Sequence, residues 1–289
     1  MLSVVQSSLK PSLSHARAPL VREVSVVNEL GERSTTSIPA ERDLTVYVDK
    51  RELVTLMTLG AQPELLVLGY LRNQRLVASV DEVESISVDW DVNSAAVKTR
   101  AGIDNIEART AKKVVTTGCG QGSMFGSLMD DIDNIVLSKT QLTQTQLYGI
   151  TEAIRQQETT YKSAGSVHGC ALFRGTEMLM FVEDVGRHNA IDTIAGWMWM
   201  NAVHPTLARP ELAGTATADP YVFYTTGRLT SEMIIKSAQM GIAIVVSRSG
   251  MTQMGYDLAT RLGLCAIGRA MNKRFICYTS PQTLVFTSL

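Results

Sequence analysis

The chain has 289 residues, 45% of them hydrophobic, with 27 Lys and Arg against 28 Asp and Glu and a formal net charge of -1. That balance excludes bulk attraction to nucleic acid, so any anion site must be local, built from a few placed cations and backbone N–H donors. A single core stops growing near roughly 250–300 residues, which favours two domains.

Residues 1–20 mix Ser, Lys, Pro and His without periodicity and read as a mobile arm. Segments 21–27 and 44–48 alternate as strands do, with the polar loop GERSTTSIPAERD between them. Pro63 opens a helix that carries Leu65, Leu66, Leu68, Gly69 and Leu71 at helical spacing. Segments 84–90 and 95–98 resemble a hairpin around Asp91, Val92 and Asn93. Residues 21–115 are therefore expected to form an α+β domain.

The stretch 116–127, TTGCGQGSMFGS, has four glycines in twelve residues and reads as a loop, the start of a loop and linker region over 116–140. From 141 to 289 the chain alternates. A helix is predicted over 141–157, strands over 171–173 and 178–182, and a helix over 188–199. The linker HPTLARPELAGTATADP follows, then strand 221–225, helix 231–240, strand 242–246, helix 252–262 and strands 264–267 and 275–279. Gly241 and Gly263 fall just past two helices, where a left-handed glycine belongs. This alternation predicts an α/β domain with a parallel or mixed sheet covered by helices.

The four cysteines, Cys119, Cys170, Cys265 and Cys277, show no repeating spacing and do not read as a disulfide scaffold. The opening MLSVVQSSLKPSLSHARAPL lacks the basic and long apolar regions of a secretory signal, and no stretch reaches the roughly 18 apolar residues of a membrane span. Reduced thiols in a cytoplasmic compartment are expected. Cys170, Cys265 and Cys277 lie in apolar surroundings and read as small buried hydrophobes, Cys170 being the exception to watch because it follows His168 by two residues.

Cys119 is different. Gly118, Gly120 and Gly122 expose backbone N–H groups that can face its sulfur. A free thiol near pKa ~8.5 is only a few per cent ionised at neutral pH, and each unit of lowering corresponds to about 1.4 kcal/mol of thiolate stabilisation. In EDVGRHNAID, a strand runs into a helix start that presents Arg187, His188 and Asn189, a favourable place for an anion. Arg187 can bind phosphate bidentately or pair within the scaffold, and Asn189 can contact a ligand or cap the helix. Thr226, Gly227 and Arg228 repeat the arrangement at another strand end, with Thr230 and Ser231 opening the next helix. Ligands of open α/β sheets gather at the C-terminal ends of strands, so both arginine turns are expected to face one crevice, with Arg248 as a third wall. His168 reads equally as a site residue and as a hydrogen-bonded core residue. Lys236, in mid-helix, reads as solvated.

The segments VHGCALF, EDVGRHNAID, TGRLTSE, KSAQMGIAIVVSRSG and ERDLTVYVDKRELVTLMTLGAQPELLVLGYL together resemble the FdhD/NarQ family, from about residue 26 to 278. The resemblance implies a cytidine-deaminase-like α/β domain beside a smaller α+β N-terminal domain, assembled as a homodimer. It implies a sulfurtransferase that takes sulfur from a cysteine desulfurase as a persulfide on Cys119. The sulfur then passes to the bis(molybdopterin guanine dinucleotide) molybdenum cofactor before insertion into formate dehydrogenase. It also makes Arg187, His188, Asn189, Gly227, Arg228, Ser231, His168 and Arg248 candidate contacts for that cofactor, with no resident metal, no nucleic acid and no membrane. Cys119 matches the first cysteine of the family's Cys-x-x-Cys loop, whereas Gly122 stands where the second belongs. That departure leaves a cofactor-binding chaperone that moves no sulfur as the alternative. A deaminase-like zinc hydrolase would need His-x-Glu and Pro-Cys-x-x-Cys, and the chain has His168-Gly169-Cys170 and no Pro-Cys-x-x-Cys.

Overall fold

In the computed structural model, which describes residues 9–111, 113–115, 123–125, 132–157, 160–205 and 219–286, two sheets are joined through one close helix crossing. The first sheet is made of β1 (Ser12–Leu13), β4 (Arg42–Val48), β5 (Arg51–Thr58), β6 (Val83–Asp89) and β7 (Ser94–Thr99), in the order β1-β6-β7-β4-β5. Alternation sets its inner face: Leu44, Val46 and Val48 of β4 are buried while Asp43 is exposed. Asp49 and Lys50, both at positive φ, close the β4–β5 hairpin, and Asn93 turns β6 into β7.

Two stretches differ from expectation here. Within the segment read as a mobile arm, Ser12–Leu13 pair in parallel with β6. Ser14 and the Ala16 amide also donate to the Glu64 carboxylate at the start of α1 (Pro63–Asn73). The free edge of β6 and a buried carboxylate in need of donors tie the arm down. The polar loop before β4 contains β3 (Arg33–Pro39), which pairs antiparallel with β2 (Val21–Val27). This ribbon is largely exposed, so β3 lacks the apolar alternation that would mark it.

After α2 (Ile106–Ala111), β8 (Lys113–Val115) and β9 (Ser123–Phe125) pair antiparallel, so 123–125 is a short strand where a loop was expected. β10 (Leu142–Thr143) leads into α3 (Gln144–Gln157), followed by α4 (Thr160–Ala164).

The second sheet contains β11 (His168–Arg174), β12 (Glu177–Asp184), β13 (Tyr221–Thr225), β14 (Ile244–Ser247), β15 (Cys265–Met271) and β16 (Arg274–Cys277), ordered β12-β11-β13-β14-β15-β16. Strands β13, β14 and β15 are parallel and the others antiparallel, giving a mixed sheet. One face packs against α5 (Arg187–Met200), α6 (Ser231–Gln239) and α7 (Gln253–Leu262) through Phe223, Ile191, Ile234 and Leu258. The other packs against α3 through Leu147, Ile150 and Ile154, and β17 (Leu284–Val285) lies beside β10. Gly241 and Gly263 follow α6 and α7 at φ 78° and 65°, as their positions predicted. Among the described residues no helix is long and apolar enough to cross a membrane.

Helices α1 and α5 cross at Gly69 and Gly196. A Cβ on Gly69 would stand 1.6 Å from the Asp192 carbonyl oxygen, and one on Gly196 2.1 Å from that of Leu65. Both obstacles are backbone and neither can swing aside. Gly69→Ala is therefore expected to destabilise the protein by about 3 kcal/mol or more, read as a lowered midpoint in urea unfolding.

Candidate functional site

Three strand ends meet beside α5. His168, the first residue of β11, stands opposite Asp184, the last of β12, and Cys170 stands opposite Thr225, the last of β13. The pairing continues past the strand, where Thr226 N donates to Gly169 O at 2.9 Å and Gly169 N to Thr226 Oγ1 at 3.1 Å. The turn after β14 is clamped to the turn after β13: Ser247 Oγ donates to Gly227 O at 2.7 Å, and Arg248 N to Thr225 O at 3.0 Å. Gly227 has no room for a side chain, because a Cβ there would meet Arg187 Cδ at 2.7 Å. The turns are thus tied to one another, with Arg187 against Gly227 and both Arg187 and Arg248 close enough to His168 to bear on its charge.

The acidic pair that opens EDVGRHNA is structural. Glu183 accepts from Thr160 N and Tyr161 N, capping the start of α4. Asp184 accepts from Leu59 N, Thr58 Oγ1, Gly186 N and Asn189 Nδ2, which ties the end of β5 to the start of α5. Burial pushes the Asp184 carboxyl above the usual range although four hydrogen bonds favour its charge. Asn189, a candidate ligand contact, also donates to Met57 O and so belongs to this tie. Gly186 is the extended N-cap residue of α5.

Of the other candidates, Arg187 is buried with its stem beneath Gly227, and Arg228 is exposed. Arg248 is half-buried and lies over the Tyr161 ring at 5.0 Å. His168 is half-buried, and burial together with Arg187 and Arg248 lowers its pKa. Ser231 is buried at the first turn of α6, whose N-cap Thr230 makes no side-chain capping bond. Cys170 is sealed in the core, donates to Thr225 Oγ1, and is pushed up to about 12 by burial, so it behaves as a hydrophobe. Cys265 is buried and Cys277 half-buried. Cys119 lies outside the described residues, between the paired strands β8 and β9. A surface cleft of about 900 Å³, lined by Tyr148, Arg269 and Lys273 among others, shares no residue with these turns.

The largest departure from the sequence reading is Lys236. Instead of being solvated it is 1% exposed, with Nζ donating to Asp192 Oδ2 at 2.8 Å and lying 3.2 Å from Glu232 Oε1. Asn73 of α1 donates to the other oxygen of Asp192 at 2.7 Å. Burial disfavours the Lys236 ammonium, but the two carboxylates outweigh it and hold the group above the usual lysine range. The sequence carried little signal of this, because in SEMIIKSAQ Glu232, Lys236 and Gln239 fall on one face opposite the apolar one, as in an ordinary amphipathic helix.

Residues 39–285 match the profile of the FdhD/NarQ family. Curated relatives named Sulfur carrier protein FdhD include those of Halalkalibacterium halodurans (26% identical, covering 91% of this chain and 93% of the relative) and Listeria innocua (28%, 86% and 92%). That of Bacillus subtilis is 26% identical over 91% of this chain and 94% of its own. A crystal structure of a protein described as a formate dehydrogenase accessory protein, from Desulfotalea psychrophila, has a similar fold. Its TM-score is 0.71 at 21% identity, over 92% of this chain and all of that one.

His188 is held neutral: burial brings its pKa from 6.5 to about 3, with Lys236, Arg187 and His168 adding to the fall and Glu232 opposing it. Below pH 6.5 the unfolded chain takes up a proton that the folded site refuses, so stability falls with pH through this window. The loss is about 1.4 kcal/mol per pH unit. His188→Gln is expected to remove that contribution, measured as the difference in slope of unfolding free energy against pH.

Proposed function

The chain belongs to the FdhD/NarQ family, and from that premise we propose that it serves formate dehydrogenase maturation as a sulfur carrier. In this reading a cysteine desulfurase charges Cys119 with a persulfide. The sulfur then goes to the bis(molybdopterin guanine dinucleotide) molybdenum cofactor, which is cargo, before its insertion into formate dehydrogenase. The reading is supported by a cluster of basic residues on strand-end turns, in a chain whose curated relatives are named sulfur carriers. The charging step is thiol chemistry. The Cys119 thiolate attacks the terminal sulfur of the donor persulfide, a new S–S bond forms and the donor cysteine leaves as thiolate, with no net change in electrons. Gly122 removes the neighbouring thiol that could close a disulfide within the loop.

The cargo carries pyrophosphate and guanine. Arg187 and Arg248 beside His168, with the exposed Arg228, offer guanidinium forks suited to phosphate oxygens. His168, held neutral between two arginines, can accept or donate a hydrogen bond without adding charge. The partners in this reading are the desulfurase, the catalytic subunit of formate dehydrogenase and a second copy of the chain, all in the cytoplasm.

Incubated with desulfurase and cysteine, the wild type is expected to gain the mass of one sulfur atom, reversibly on adding reductant. Cys119→Ala should fold normally, gain nothing and leave formate dehydrogenase inactive. Active formate dehydrogenase with Cys119→Ala would instead favour a chaperone that binds the cofactor without moving sulfur. Separately, Arg187→Ala and Arg228→Ala are each expected to weaken GDP binding about tenfold or more in calorimetry, the loss of a charge-assisted hydrogen bond. Unchanged affinity in both would remove the crevice.

A further inference from the structure

Behind the crevice lies a chain of buried polar groups that the proposed function has not used. Asn73 of α1 contacts Asp192 of α5, Asp192 pairs with Lys236 of α6, and Lys236 lies beside Glu232 one helical turn earlier. The same oxygen of Glu232 that faces Lys236, Oε1, stands 3.3 Å from His188 Nδ1 at the first turn of α5. Glu232 and Lys236 side chains are each 2% exposed and that of His188 is 12% exposed, so the three are largely shielded from solvent.

Two carboxylates, Asp192 and Glu232, both face the Lys236 ammonium. Burial first, then the charges of Asp192 and Glu232, push the Tyr70 hydroxyl above the usual range. Both carboxylates favour the charged Lys236, and an ionised carboxylate can only accept hydrogen bonds. Among the groups that Glu232 faces is Nδ1 of His188, at 3.3 Å. Neither nitrogen of the His188 ring has a hydrogen bond of ordinary geometry in the structure. A buried imidazole left that way is costly, and a small rotation would bring an Nδ1–H onto the carboxylate.

We propose that Glu232 is a positioning residue that holds the His188 proton on Nδ1, so that Nε2 is left as an acceptor for an N–H donor of the bound ligand. Lys236 and Asp192 hold Glu232 in place, and Asn73 anchors Asp192 to α1. His188 follows Arg187 in the first turn of α5, and Arg187 and His168 both bear on its charge, so the ring belongs to the same basic cluster. A neutral acceptor between cations fits a ligand that presents phosphate to the arginines and a ring N–H to the histidine. Guanine, with donors on N1 and N2, meets that description. The ligand half of this inference rests on the reading of the crevice as a guanine-nucleotide site; the proton position does not.

The test separates the two. Long-range proton–nitrogen correlation spectra of the full chain labelled with 15N-histidine report which ring nitrogen carries the proton, with the His188 signals identified by their absence in His188→Gln. The wild type should show His188 protonated on Nδ1. Glu232→Leu retains the Asp192–Lys236 pair and should move the proton to Nε2, turning the acceptor into a donor and weakening GDP binding about tenfold. A wild-type His188 protonated on Nε2 overturns the proposal, as does a folded Glu232→Leu whose His188 keeps its proton on Nδ1 or whose GDP affinity is unchanged. Should Glu232→Leu fail to fold, the wild-type spectrum decides alone. Wild-type protein that binds no GDP would end the nucleotide reading, and the spectrum would still judge the role of Glu232.

Discussion

Helices α1 and α5 approach until backbone meets backbone, and the relation of the two sheets follows from that contact. Gly69 and Gly196 leave no space for a side chain at the crossing. At this separation Asn73 reaches Asp192, and Arg72 lies over the Trp199 ring at 5.1 Å while donating to Ala195 O. Trp199, which belongs to α5, is buried in the core of the first sheet. The Asp184 tie from β5 to α5 works in parallel with this crossing, so the start of α5 is held from two directions. The crevice residues Arg187 and His188 sit at that start.

The buried ions are poorly explained as a device for stability. Removing charges from water costs several kcal/mol per ion, and apolar residues of similar volume often serve a core at least as well. What the cluster does provide is direction. Lys236 can satisfy two carboxylates only where α5 and α6 hold them, and Glu232 is thereby presented to His188. Loss of Lys236 would leave uncompensated carboxylates in the interior, a change of about 3–5 kcal/mol.

The strand-end turns are held by short-range hydrogen bonds. Thr225 Oγ1 accepts from Gly227 N, and Ser247 Oγ both donates to Gly227 O and accepts from Ser249 N. Each hydroxyl satisfies backbone groups that the strand ends would otherwise leave open, and fixes the turn that carries an arginine. Under the proposed carrier role, turns held in this way leave less ordering to be done when an anionic cargo binds.

Local pattern alone determined much of this molecule. Strands 21–27 and 221–225, the helix opening at Pro63 and the helix ends at Gly241 and Gly263 were legible because each rests on neighbouring residues, whereas the expectation that the turns of Arg187, Arg228 and Arg248 share one place came from the general rule for open α/β sheets. β3 was not legible, since an exposed ribbon carries no apolar period, and β9 was hidden by the glycines around it. The burial of Lys236, the commitment of Asp184 and Asn189 to β5, and the glycine contact of α1 with α5 were decided only by tertiary structure. Each joins residues 40 or more positions apart, and the partner of a buried charge or a missing side chain is set by packing that no local window contains.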